Sequence, residues 1–385
     1  MIPVAKPVLD ERELDALRRV IFSGWIAQGP EVAAFEHEFA EYVNAPYACA
    51  VSSCTTALHL TLLAAGVGLG DEVITVSHSC IATANSIRYC GAIPVFVDVS
   101  PDTFNVDPDL VETAISPLTG AILCVHQMGM PCDLGRICRI ADKYSIPLIE
   151  DAACAIGSEI RCDASWERIG KPHGDAACFS FDSRKILSTG DGGMITTIHK
   201  EWDALFRLWR QHGRSLPEAI GDESHPMLFE SYPELGFNYR MTDVQAAIGR
   251  EQLKRLPEII DRRRDMAAEY RFLLGDICGL NLPAEPEWAR SNWQSYCVRL
   301  PEGVVQGPVM QTLLDRRIAT WRGTMCAHRE PAYQDDSWRS AGSLFESERA
   351  QDECILLPLY HQLQHEEQQF IAAELRAAIT TECTA

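Results

Sequence analysis

The sequence predicts an α/β fold built on a mostly parallel sheet, and three observations carry that prediction. Between residues 47 and 151, short Val/Ile/Leu-rich runs alternate with helical stretches. Those runs are apolar throughout instead of alternating with polar residues, as strands covered on both faces require. A chain of 385 residues that is 46% hydrophobic also has ample material for a large core.

In order, "YACAVSS" reads as a strand and "TTALHLTLLAAG" as a helix stopped by Gly66. "DEVITV" is a strand, "IATANSIRYCG" a helix, "IPVFVDV" a strand and "LVETAIS" a helix. "GAILCVHQ", "LGRICRIADKYS" and "IPLIED" continue the alternation. The helix over 134–144 has the expected period, with Leu134, Ile137, Ala141 and Tyr144 on one face. Further on, Thr242 or Asp243 caps a helix through "VQAAIGREQLKR", and Pro257 opens a second helix to about Leu274. A smaller C-terminal α/β region holds "NWQSYCVRL" and "GPVMQTLLDRRIAT". The expected division is a large domain over 1–250 and a small one over 251–385.

Thirty-four basic against 54 acidic residues give a net charge of −20, which opposes nonspecific attraction to nucleic acid or anionic membrane. Any anionic ligand must be held by local groups. No apolar run reaches membrane-spanning length, and "MIPVAKPVLDERELDALRR" lacks the basic-then-apolar pattern of a signal peptide, so the expected location is cytoplasmic. The 15 cysteines are scattered without C-x-x-C or zinc-type spacing, which predicts reduced thiols and no metal site. Cys124 and Cys178 read as small core residues.

Ligands of such sheets bind beyond the carboxyl ends of the strands. Three polar features fall there. "SSCTT" enters a helix directly, so Ser53, Thr55 and Thr56 offer hydroxyls and free N–H groups for a phosphate, or simply cap the helix. "IPLIEDAAC" ends a buried strand with Glu150 and Asp151. A carboxylate within about 3 Å of a buried cation gains about 5 kcal/mol of Coulomb energy before desolvation costs. That would keep a pyridinium nitrogen protonated. In "FSFDSRK", Ser180 ends a strand and Lys185 follows; a lysine that attacks carbonyls must be desolvated enough to be neutral part of the time. Phosphate cradle, ring-nitrogen partner and amine are the three handles that pyridoxal phosphate needs.

The chain resembles the DegT/DnrJ/EryC1/StrS family of pyridoxal-phosphate sugar aminotransferases. The likeness runs through "SGWIAQGPEVAAFEHEFA", "GDEVITVSHSCIATANSIRYCGAIPVFVDVSPDTFNVDP", "VHQMGMPCDL", "IEDAACAIGS", "GDAACFSFDSRKILSTGDGGMI", "GFNYRMTDVQAAIGREQL" and "AHREPAY". The resemblance implies the type I aminotransferase fold, with a seven-stranded mostly parallel sheet in the large domain. It implies Lys185 as the Schiff-base lysine and Asp151 as partner of the ring nitrogen. Ser53, Thr55 and Ser180 would contact the phosphate, and Cys154 would lie near the ring oxygen. Asn238 would reach the cofactor of a neighbouring subunit, so a homodimer with shared sites is implied. The donor is expected to be glutamate or glutamine and the acceptor a nucleotide-linked keto-deoxysugar. Trp25 and Gln28, in an N-terminal substrate-site segment over 1–30, and Arg240, Arg322 and His328 are the candidate substrate contacts; Trp25 could equally be core, and His328 a hydrogen-bonder within its loop.

Several positions depart from the family's pattern. Cys54 replaces a Gly of the phosphate loop, Cys80 an aromatic residue, Cys154 a Gln or His, Asp182 a His and Trp321 an arginine. "SEIRCDASWERIGKPHGD" is about five residues longer than usual. Three rivals are a sugar dehydratase, a regulatory scaffold, and an aminotransferase acting on a free cyclitol ketone. Known dehydratases of this kind carry histidine in place of the lysine, so Lys185 opposes the first. Retention of Lys185, Asp151 and Ser180 opposes the second.

Overall fold

The structure, a computed structural model, describes residues 1–162, 165–215, 230–335 and 337–384. The alternation read in the sequence is present in order: β1 (Tyr47–Val51), α3 (Cys54–Ala64), β2 (Glu72–Val76), α4 (Ile81–Tyr89), β3 (Ile93–Val97), α5 (Pro108–Ala114), β4 (Thr119–Val125), α6 (Leu134–Tyr144) and β5 (Leu148–Asp151). Two N-terminal helices, α1 (Glu11–Ser23) and α2 (Pro30–Val43), precede them. A hairpin of β6 (Glu159–Cys162) and β7 (Ser165–Arg168) forms the lengthened segment, of which Asp163 and Ala164 lie outside the described residues. Then come β8 (Ala176–Ser180), β9 (Gly193–Thr197), α7 (Lys200–Trp209) and the long α8 (Asp243–Leu274).

The large sheet has the order β1-β9-β8-β5-β4-β2-β3, closed by the two-residue β13 (Arg339–Ser340) as an eighth strand. Arg339 is fastened there by Glu72, which accepts from Nε at 2.5 Å and from an NH2 group at 2.6 Å. Only β9 runs antiparallel to its neighbours, β1 and β8. β1 therefore runs the same way as β8, and the carboxyl ends of β1, β2, β4, β5 and β8 share one edge. Both sheet faces are covered. Ala48, Ala50, Cys124, Ala177 and Phe179 join the core with α2, α6 and α8, whereas Cys49, Val51, Leu123, Ile149 and Cys178 face α3 and α7. Full burial of Val/Leu/Ile-sized side chains, at about 25 cal/mol per Å² of apolar surface, is the main drive for this layering. Aromatic packing adds to it: the Phe39 and Phe179 rings lie 5.0 Å apart, and those of Phe35 and Phe181 5.4 Å.

The structure departs from two sequence expectations about helices. On α6, Leu134, Ile137 and Ala141 are buried with Ile140, but Tyr144 is exposed. Tyr144 sits in the last turn, where its hydroxyl donates to Glu112 at 3.2 Å, a partner available only at the surface. Pro257 does not open a second helix; it lies inside α8, which is continuous over 32 residues. An interior proline removes one ladder hydrogen bond and crowds the preceding turn. Burial of Leu253, Leu256, Ile259 and Ile260 around it holds the helix together. The position near 250 expected for the domain boundary thus falls within one helix, whose later residues Met266, Ala267, Tyr270 and Leu274 belong to a second core. That core also takes in β11 (Tyr296–Arg299), α9 (Gln306–Asp315), β14 (Cys354–Leu357) and α11 (His365–Thr384). Its sheet, β11-β14-β12, includes Trp321–Arg322 as β12, and α10 (Phe345–Glu353) leads into β14. A short β10 (Ala289–Arg290) pairs with β6. The start of the chain joins this second unit, Ile2 N–H donating to the Arg317 carbonyl at 2.8 Å.

Thr242 is the cap of α8, its hydroxyl accepting from Gln245 N–H at 3.2 Å. Asp243 does something else. Fully buried, it accepts N–H bonds from Gly29 at 2.8 Å, Val32 at 3.0 Å and Glu31 at 3.2 Å, capping α2 from a distant part of the chain. Asp243→Ala is expected to cost about 3 kcal/mol, since three N–H donors lose a charged acceptor. A markedly lowered thermal midpoint is the expected result; an unchanged midpoint would show that these donors find other partners.

Candidate active site

Asp151 is the last residue of β5 and only 4% exposed. Its Oδ2 accepts from the Thr83 hydroxyl at 2.8 Å and its Oδ1 from Ala153 N–H at 3.1 Å. Burial drives its pKa upward, and the opposing pull of these two donors, Lys185 and His126 does not cancel the effect. It is a carboxylate short of positive charge. Glu150, on the opposite face of the strand, is used structurally: Oε2 meets His126 Nε2 at 3.1 Å, and Oε1 accepts from His173 N–H at 2.8 Å and Gly174 N–H at 3.1 Å.

Lys185 follows β8, and its Nζ donates to Cys154 Sγ at 3.1 Å. Burial pulls the ammonium down, but Cys154, Cys54 and Asp151 pull it up and prevail, so its pKa lies above the ordinary lysine value. This corrects the expectation of a readily neutral amine: an electron-rich neighbourhood outweighs desolvation. Cys154 is itself held from behind, Asn292 Nδ2 donating to its carbonyl at 2.9 Å and to that of Ile156 at 2.8 Å. Gln294 Nε2 donates to the Arg184 carbonyl at 3.2 Å. One segment of the C-terminal region therefore grips both loops that carry the Lys185–Cys154 contact.

At the end of β1, Ser53 caps α3, its hydroxyl accepting from Thr56 N–H at 3.2 Å while Thr56 Oγ1 accepts from Ser53 N–H at 3.1 Å. The half-buried Thr55 hydroxyl has no protein partner among the described residues. Cys54 turns its thiol inward to the Cys178 carbonyl at 3.6 Å. Room for this loop comes from Gly193 on β9: a Cβ there would lie 2.5 Å from the Ser53 carbonyl oxygen. Gly193 also pairs with Ser180 and with Val51, which places Ser53 and Ser180 on either side of β9. Ser180 Oγ accepts from Asp182 N–H at 3.4 Å, and Asp182 in turn accepts from Arg184 N–H at 3.0 Å.

The remaining candidates are less closely joined. Trp25 is exposed, so it is not core, and its indole N–H donates to the Gln28 carbonyl at 3.2 Å. The Gln28 side-chain oxygen is buried and unpartnered among the described residues. Arg240 is half-buried with no acidic partner among them, and its backbone bridges to Val51 at the end of β1. Asn238 is exposed. Arg322 already has an acidic neighbour, Glu330 at 3.3 Å. His328 is a hydrogen-bonder of its loop: Nδ1 meets the Ser77 hydroxyl at 2.6 Å and Nε2 meets Glu348 at 3.1 Å. It thereby ties its loop to the end of β2. Trp321 is exposed with the Arg184 guanidinium 5.7 Å from its ring centre, and Cys80 is exposed at the start of α4. Sequence reasoning missed Thr83, Gly193 and Asn292. Thr83 lies one turn beyond the "SHSC" segment that follows β2 and Gly193 lies in a conspicuous glycine-rich turn, whereas nothing local marks Asn292.

A buried carboxylate with no salt bridge among the described residues, an amine among thiols, and a helix N-terminus with a free hydroxyl stand at one sheet edge. This donor set fits pyridoxal phosphate, and with the fold it defines a pyridoxal-phosphate enzyme of type I architecture. Residues 7–376 match the model of the DegT/DnrJ/EryC1/StrS aminotransferase family, and the chain belongs to that family. It is 35% identical over 363 residues to the spore coat polysaccharide biosynthesis protein SpsC of Bacillus subtilis, covering 93% of this chain and 92% of that one. It is 41% identical over 307 residues to GDP-perosamine synthase of Caulobacter vibrioides, covering 79% and 78%. Among solved structures, the aminotransferase TlmJ of Streptoalloteichus hindustanus superposes with TM-score 0.90 at 35% identity, over the whole of both chains. DesV of S. venezuelae, solved with a ketimine intermediate, gives 0.87 at 32%, covering 98% of this chain and 99% of that one. The chain is a pyridoxal-phosphate-dependent aminotransferase, which sets aside the scaffold rival.

The raised pKa of Asp151 has a stability consequence with a definite sign. A carboxyl whose folded pKa exceeds its unfolded value loses stabilisation as pH rises from the unfolded toward the folded pKa. Cofactor-free Asp151→Asn is therefore expected to melt higher than wild type at neutral pH, by an amount that shrinks as the pH falls through the Asp151 ionisation range. A variant no more stable than wild type at neutral pH would contradict this cost.

Proposed function

We propose that this aminotransferase moves an amino group from glutamate or glutamine to the keto carbon of a nucleotide-linked deoxysugar. The observation that carries the site assignment is the buried Asp151 carboxylate, short of a cation, beside the amine of Lys185. Bound there, pyridoxal phosphate supplies an aldehyde carbon and an electron-withdrawing ring. Asp151, oriented by Thr83 and Ala153, holds a proton on the ring nitrogen. That proton also offsets the Asp151 charge, removing one of the groups that keep Lys185 protonated. Lys185 is the residue that would anchor the cofactor, and its freed amine would take the proton from the donor's α-carbon and deliver one to the carbon that receives the amine. Thr55, Ser53, Ser180 and the N-terminus of α3 hold the phosphate. Cys154 keeps the lysine amine directed between uses.

Asn238 serves a neighbouring subunit in this reading. Exposed Ile21, Phe22, Trp25 and Ile26 at the end of α1 and just after it, and exposed Leu235 three residues before Asn238, are apolar side chains of the kind that a second copy covers. Among the substrate candidates, Arg240 is the best placed to meet a diphosphate, because no acid neutralises it among the described residues. Arg322 must first leave Glu330. A nucleotide-linked acceptor agrees with a relative named for a GDP-linked sugar. A free cyclitol ketone, which lacks phosphate, would leave Arg240 without a role.

Lys185→Ala is expected to abolish turnover while leaving the circular-dichroism spectrum unchanged; turnover at the wild-type rate would refute the assignment. Arg240→Ala is expected to raise KM for the nucleotide sugar about 10- to 100-fold and leave the reaction with the amino donor unchanged. An unchanged KM, or activity with a free cyclitol ketone alone, would favour the rival acceptor.

A further inference from the structure

Three positions where the family's pattern has other residues are cysteines around one amine: Cys54, Cys80 and Cys154. Cys54 is buried and its thiol is occupied by the Cys178 carbonyl, and Cys80 is exposed at the start of α4. Only Cys154 carries a thiol in contact with Lys185 Nζ, at 3.1 Å, and it is half-buried, so a small oxidant reaches it. The two atoms do not meet through a flexible loop. Asn292 pins the Cys154 carbonyl, Gln294 pins the carbonyl of Arg184, and both come from one segment whose Asn292 is fully buried. The contact thus sets the Cys154 sulfur against the nitrogen it would bond, and a cysteine thiol within reach of solvent is the group that peroxides oxidise.

We propose that Cys154 and Lys185 form a modification site at which hydrogen peroxide links Sγ to Nζ through a covalent S–N bond. In the first step the thiol attacks peroxide: sulfur is oxidised by two electrons to the sulfenic acid, the O–O bond is reduced, and water leaves. In the second the Lys185 ammonium first gives a proton to solvent, the neutral amine attacks the sulfenic sulfur, the S–O bond breaks, and a second amine proton leaves with the hydroxyl as water. A thiol reductant reverses the link, regenerating Cys154 and Lys185 and ending as its own disulfide. The linked lysine no longer has a free amine, so the site would be closed to the cofactor while the bridge lasts. This consequence rests on the reading of Lys185 as the cofactor's attachment point, whereas the bridge itself rests on the Cys154–Lys185 contact alone.

The test is peptide mass spectrometry of the full chain, freed of cofactor and treated with hydrogen peroxide. The expected product is a cross-linked pair of peptides containing Cys154 and Lys185, lighter than their sum by two hydrogen atoms. It should disappear with dithiothreitol and be absent in Cys154→Ser and Lys185→Arg, but persist in Cys80→Ser. Recovery of Cys154 only as sulfinic or sulfonic acid, or in a disulfide with Cys54, would overturn the proposal, and so needs only the wild-type chain. Loading with pyridoxal phosphate before peroxide should suppress the link. Equal linking in the loaded enzyme would support the bridge and contradict the role of Lys185 as cofactor anchor, so the two readings fail separately.

Discussion

A carboxylate at the end of a central strand, out of contact with water and without a full cationic partner, is the feature on which this site depends. Asp151 lies between neighbours β4 and β8, and the fold leaves it two hydrogen-bond donors and an upward-shifted pKa. Leaving a charge so placed is unfavourable in the empty protein. It becomes favourable once a cation arrives that the protein does not itself provide. The site is therefore built to be completed, and the cost is carried by the large cores on both faces of the sheet.

Long-range contacts supply the precision. Asp243, at the start of α8, caps α2, and Gly193 lets β9 pass beneath the Ser53–Cys54 turn. Asn292 and Gln294 reach from the C-terminal region to the two loops that meet at Lys185. α8 contributes to both cores, so the large sheet and the C-terminal unit share one rigid element. A parallel sheet brings residues distant in sequence to one edge, and these clasps fix them there.

The layout of the fold was legible because strand and helix periods differ and the runs were long. Strands β1 to β5 and the helices between them follow from apolar patterning, and the run that ends at Ser180 gives β8, whereas nothing in the patterning marked β9. That Asp151 and Ser180 end strands of the large sheet, with Lys185 in the segment beyond, was legible because strand ends in such sheets are where polar residues gather. What was hidden was set by tertiary context. Tyr144 has the correct helical phase but finds its hydroxyl partner at the surface; Pro257 is carried by packing on both sides; His328 and Arg322 are engaged by Glu348 and Glu330, which no local pattern announces. The charge of Lys185 follows from thiols and a carboxylate that converge only in three dimensions. Thr83 and Asn292 act through single hydrogen bonds to residues far along the chain, and such bonds leave no periodic trace.

The most direct measurement is the affinity for pyridoxal phosphate of the wild-type chain and of Asp151→Asn, by equilibrium titration of the visible absorbance. If the buried carboxylate is the group that the cofactor's ring nitrogen completes, the variant should bind about 100-fold more weakly, as expected for loss of a buried charge partner. Equal affinities would contradict the account and place the ring nitrogen against another group.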